Sequence, residues 1–180
     1  MKKLYQACQR AYRALMEWLY IACIVTAGLS MLVITIIIAY GVFMRYYVEA
    51  AASWPEPAAI LMMVLFSFVG GAAAYRAKAH IAVSTFLNML DGGNRKAMEK
   101  VADIGMAIVA GFMIKWGWQL VDKMWHAGNT IGEFAWLPTA VTYFPIPLAG
   151  VITLLFVIEQ LWLGDPPADS FTFRDQPQID

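Results

Sequence analysis

From Trp18 to Met44 the chain carries no charged side chain, and Met31–Ala39 within that run is almost wholly aliphatic. A helix needs about 20 such residues to cross the hydrocarbon core of a bilayer. In that solvent the backbone must satisfy its own hydrogen bonds, so the segment has to be helical. The run exceeds the about 7–15 apolar residues of a secretory signal. It also ends in Phe43 and Tyr46 rather than a small-residue cleavage site.

Three further segments follow. Pro57–Tyr75 is uncharged throughout. Its start, Ser53-Trp54-Pro55-Glu56, reads as a capping box with Ser53 at the N-cap and Glu56 at N3, and Pro55 falls in the first turn. A third helix is expected at about Met98–Lys123, with charge at its ends and Lys115 within it. The fourth runs from Thr142 to Leu163, with Pro145 and Pro147 near its beginning and Glu159 close to its end. The fold class is therefore an all-α integral membrane protein with four transmembrane helices. Residues 1–163 form the membrane domain. Residues 164–180, with Pro166, Pro167 and four aspartates, form a disordered tail.

Charge sets the expected orientation. Ten Lys and Arg lie on one side of this topology: Lys2, Lys3, Arg10, Arg13, Arg76, Lys78, Arg95, Lys96, Lys100 and Arg174. Arg45 and Lys123 lie on the other. The positive-inside rule then places both termini and the middle loop in the cytoplasm. In that loop Val83, Phe86, Leu87 and Leu90 form an apolar stripe, preceded by Arg76, Lys78 and His80, which predicts an amphipathic interfacial helix. The stretch Lys2–Arg13 can lie at the same interface.

Composition excludes several function classes. Charged residues make up 14% of the chain and hydrophobic ones 61%. Soluble domains carry about 25% and about 45–50% respectively. The 13 basic and 13 acidic residues balance, which argues against nucleic acid as a partner. Two cysteines, Cys8 and Cys23, on or beside one helix do not make a disulfide framework. His80 and His126, the only histidines, fall on opposite sides of the membrane and cannot share a haem. Neither a metal-ligand motif nor a local nucleophile–base pair is present, so neither cofactor nor enzymatic activity is expected.

Candidate contact residues are few. Lys115, counted from Met98, lies about 25 Å up its helix, near the outer interface. There it either snorkels beside Trp116 and Trp118 or pairs, with a partner protein or with Gln119 and Asp122 on its own face. Arg45 ends the first span as an interfacial anchor or a partner contact, and Glu56 is a helix cap or a partner contact. Arg76, Lys78 and His80 are expected at the lipid headgroups. Gly70-Gly71-Ala72-Ala73-Ala74 permits close helix approach, within the chain or against another subunit.

These residues resemble the small membrane (Q) subunit of the TRAP, or tripartite ATP-independent periplasmic, transporters. The resemblance is carried by Arg45-Tyr46, by Ser53-Trp54-Pro55-Glu56, and by Gly70-Gly71-Ala72-Ala73 followed by Arg76 and His80-Ile81-Ala82-Val83. Leu137-Pro138 and Tyr143-Phe144-Pro145-Ile146-Pro147-Leu148 complete it. The chain departs from the family in having one glutamate after the tryptophan and Ser84-Thr85 where an acid is common. The resemblance implies a sodium-coupled importer of an organic acid, of dicarboxylate or sialic-acid type, in a bacterial inner membrane. The implied partners are a large membrane subunit, which holds the substrate and sodium sites, and a periplasmic substrate-binding protein. This chain would scaffold the first and can help dock the second, through Arg45, Trp54, Glu56, Gly70, Gly71 and Lys115. The alternative is a self-associating small channel or carrier, which the missing mid-depth polar lining disfavours.

Overall fold

The structure, a computed structural model, describes residues 2–50, 52–78, 92–131 and 134–164. Its elements are α1 (Lys2–Tyr46), α2 (Pro55–Arg76), α3 (Gly92–His126), a hairpin of β1 (Thr130–Ile131) and β2 (Phe134–Pro138), α4 (Ala140–Tyr143) and α5 (Pro145–Leu163). Four helical stretches, Gln9–Tyr46, Pro55–Arg76, Lys100–His126 and Ala140–Leu163, are long and apolar enough to cross a membrane. The expected interfacial helix at 83–90 and the tail at 165–180 lie outside the described residues.

The helices overrun the uncharged segments. Lys2–Arg13, which can lie at the interface, is continuous with α1. That helix extends about 67 Å, at about 1.5 Å per residue. No proline occurs in it and its first glycine is Gly28, so nothing interrupts the hydrogen-bond ladder. At α2 the N-cap falls one residue later than the expected Ser53. The helix starts at Pro55, which makes Trp54 the N-cap, in αR geometry and without a side-chain cap bond, and moves Glu56 to the second helical position. Pro55 sits where its missing N–H costs nothing. The fourth span is α4 and α5 joined through Phe144, itself αR, so the chain continues almost helically into Pro145. Gly164, at φ 71°, ends α5, and its N–H bonds to the Gln160 carbonyl.

Packing orders the helices as a row: α1 lies along α2, α2 along α5, and α5 along α3. The buried core joins Met16, Tyr20 and Cys23 of α1, Val69, Ala72, Ala73 and Tyr75 of α2, and Ile152, Phe156 and Val157 of α5. It occupies the Arg76 end of the row. On the opposite half, α3 and α5 meet through glycine. A Cβ on Gly150 would stand 3.1 Å from the Ala110 carbonyl oxygen, and one on Gly117 would stand 3.1 Å from the Pro147 nitrogen. The absence of those Cβ atoms lets the two backbones touch. As flanking helices α1 and α3 keep wide apolar faces outward, whereas α5 is the most enclosed.

Candidate functional site

The last two residues of α2 gather buried polar groups from α3 and α5. Arg76 is 2% exposed and forms a two-pronged pair with Glu159 of α5: Nε donates to Oε2 at 2.9 Å and an NH2 proton to Oε1 at 3.0 Å. Its guanidinium carbon lies 5.3 Å from the ring centre of Tyr20 on α1 and 5.4 Å from that of Phe156 on α5. The cation is thus held by a carboxylate and two aromatic faces. Arginine suits this place because its planar fork matches a carboxylate and stacks on rings. Sequence reading sends Arg76 to the headgroups, and the structure corrects that. Arg76 continues the buried stripe of Val69, Ala72 and Ala73. These stand seven, four and three positions earlier on one face, so the helix turns the arginine inward.

Beside it, the Tyr75 hydroxyl lies 2.8 Å from Oδ1 of Asp103 on α3 and 2.9 Å from the Gln160 amide of α5. One hydroxyl carries one proton, which goes to the carboxylate. The second contact is satisfied when Gln160 turns its N–H₂ toward the hydroxyl oxygen. That orientation also removes the orphaned buried Nε2 that the opposite one leaves. Tyr75 and Arg76 together therefore tie α2 to α1, α3 and α5. Arg13 adds a bond from α1 to the Leu163 carbonyl at 2.9 Å, and Tyr12 packs edge-on against Trp162. The arrangement holds helices. The Arg76 charge is already matched by Glu159.

Lys115 is different. Gly117 touches Ile146 and Pro147, and Gly150 touches Met113 and Ile114, so Lys115 lies level with Leu148 of α5. Arg76 is level with Glu159, and moving back by eleven positions on each helix makes Leu148 level with Leu65. Gly70 meets Ala27, which makes Leu65 level with Leu32 of antiparallel α1. Leu65 is central in α2 and Leu32 is central in Trp18–Met44. Lys115 thus lies within about one helical turn of mid-depth. The expected place near the outer interface is corrected because α3 starts below the bundle, so counting from Met98 overstates the height. From the centre the headgroups are about 15 Å away. A lysine stem spans about 6 Å and leaves the helix toward its N-terminus, so snorkelling does not reach them. Its ammonium rests 4.8 Å from the Trp116 ring centre, and Trp116 stacks on Phe112 at 3.9 Å. No carboxylate among the described residues pairs with it. A lysine at the bilayer centre costs about 2.5–3.5 kcal/mol on insertion scales.

The other expected site residues are dispersed. Arg45 and Glu56 are exposed at the far end of the bundle from Arg76, and Trp54 packs 5.4 Å from Tyr40. Gly70 faces Ala27 within the chain, while a Cβ on Gly71 would meet nothing within 4 Å. Lys78 is exposed in a left-handed turn at φ 49°, and His80 lies outside the described residues. Sequence reading missed Tyr75, Asp103, Glu159 and Gln160 as a set. The available signal was Glu159-Gln160 interrupting the fourth apolar run at the same end as Arg76.

Comparison with known proteins gives two findings. The family model described as "Tripartite ATP-independent periplasmic transporters, DctQ component" matches residues 34–165. The chain is also 23% identical over 128 residues, 71% of its length and 77% of the relative's, to a Haemophilus influenzae protein whose name assigns it as a TRAP transporter small permease protein.

Proposed function

The chain belongs to the DctQ component family of the tripartite ATP-independent periplasmic transporters and is a multi-pass membrane protein. From that premise we propose that it is the static small subunit of a sodium-coupled importer of an organic acid. It steadies the large transport subunit in the bacterial inner membrane, with both termini in the cytoplasm. The observation that supports a scaffold is the Tyr75–Arg76 knot. Tyr75 and Arg76 of α2 meet Asp103 of α3 and Glu159 and Gln160 of α5, so these buried polar groups are matched within the chain. A carrier places polar or broken-helix sites at its centre. Where its helices meet, this chain instead has small residues and apolar packing, and Lys115 stands on the outward side of α3. At the end away from Arg76, exposed Arg45, Tyr46, Tyr47 and Glu49 offer the surface for docking the periplasmic binding protein.

Reconstitution tests this reading. Liposomes holding this chain with its large subunit, supplied with the binding protein, should accumulate labelled succinate or sialic acid only under an inward sodium gradient. Omitting this chain should abolish uptake. Full uptake without it, or flux through it alone, would overturn the scaffold role.

A further inference from the structure

Lys115 has no mate among the described residues of its own chain, and its surroundings describe the mate it needs. On the outward side of α3 it stands in a stripe with Ile104, Ile108, Gly111 and Trp118, spaced three or four positions apart. All five are exposed, Ile108 at 67% and Trp118 at 60%. Gly111 lies one turn toward the N-terminus, the direction in which a helical side chain leans. A Cβ there would meet nothing within 4 Å, so Gly111 leaves an open notch under the lysine stem. On the other side the stacked pair of Phe112 and Trp116 forms a wall, and the Trp116 ring holds the ammonium 4.8 Å from its centre. The stripe thus presents a single cation at mid-depth, in a recess where a second helix can approach closely, among side chains that suit hydrocarbon.

We propose that Lys115 forms an intramembrane ion pair with an aspartate or glutamate on a transmembrane helix of the large subunit, and that the Ile104–Trp118 stripe of α3 is the face on which that helix docks. The proposal rests on the small-subunit reading above. Charge complementarity selects the occupant. A lipid chain offers no counter-charge at mid-depth, whereas a protein helix can place a carboxylate there. Gly111 supplies the close approach that helix association in lipid needs, since packing rather than hydrophobicity drives it.

The test is recovery of the large subunit with affinity-tagged small subunit after mild detergent extraction, comparing wild type with Lys115→Met and Lys115→Arg. Methionine keeps most of the length of the side chain and removes its charge. Lys115 rests on the Trp116 ring and on no buried group, so the variant folds as before. The expected result is at least about a ten-fold loss of large subunit with Lys115→Met, because a carboxylate is left unpaired, and recovery within about two-fold of wild type with Lys115→Arg. Equal recovery in all three would overturn the ion pair and leave the small-subunit reading standing. Recovery of no large subunit by the wild type would overturn both. A second copy of this chain, recovered stoichiometrically in place of the large subunit and lost in Lys115→Met, would overturn the assignment of the partner.

Discussion

Removing Glu159 should cost more than any other single truncation in the bundle. Both members of its pair are 2% exposed, and two bonds of 2.9 and 3.0 Å join them. Glu159→Gln keeps the shape but removes the carboxylate charge that faces the Arg76 guanidinium between Tyr20 and Phe156. Breaking one side of a buried pair costs about 3–5 kcal/mol, against about 0–1 kcal/mol for an exposed pair. For a chain of this size that lowers the unfolding midpoint on the order of 10 °C. Replacing both partners with apolar residues, Arg76→Met with Glu159→Leu, removes the desolvation cost together with the attraction, and such swaps are often neutral. The double variant should therefore sit within about 2 kcal/mol of wild type, well short of the summed single losses. Thermal unfolding of purified protein in detergent, followed by intrinsic tryptophan fluorescence, reads all four members of the cycle. Additive losses in the double variant, or a Glu159→Gln loss below about 1 kcal/mol, would refute the reasoning.

Three further outcomes are expected. The Tyr75 hydroxyl joins Asp103 to Gln160. Its removal in Tyr75→Phe should lower stability by about 1–2 kcal/mol in the same assay. Gly150→Ala places a methyl 3.1 Å from a backbone oxygen that cannot move freely, whereas Gly71→Ala enters open space. The first should cost about 1–3 kcal/mol and the second should be neutral for the chain alone. Cys23 is 3% exposed, so a maleimide should label it only as the protein melts, and labelling at full rate in the folded state would contradict the core as described.

The four spans were legible because hydrocarbon demands uninterrupted apolar helix, and a run such as Trp18–Met44 has no other use. The helix ends were less so. Charge excludes residues from the bilayer but does not stop a helix, so α1 carries through Arg13 and Lys3 without a mark in composition. At Ser53 a local capping pattern competed with Pro55, which occupies the first helical position because its fixed φ suits that place. The Arg76 pairing was hidden by distance along the chain, since its partner lies 83 residues on. Lys115 was visible as a residue but not as a depth. Depth is a property of register between helices, and the contacts of Gly117, Gly150 and Gly70 together with the Arg76–Glu159 pair supply it.

The separation of Arg76 from Glu159 also has a history in time. The ribosome delivers α2 long before α5. At about 5–20 residues per second the arginine waits roughly 4–17 s for its carboxylate. During that interval the final turn of α2 lacks the carboxylate that its guanidinium meets in the finished bundle. Arrival of the last helix supplies it. The bundle is thus completed from its final segment backward, and a nascent chain halted before Glu159 would display to quality control a cation that the finished protein conceals.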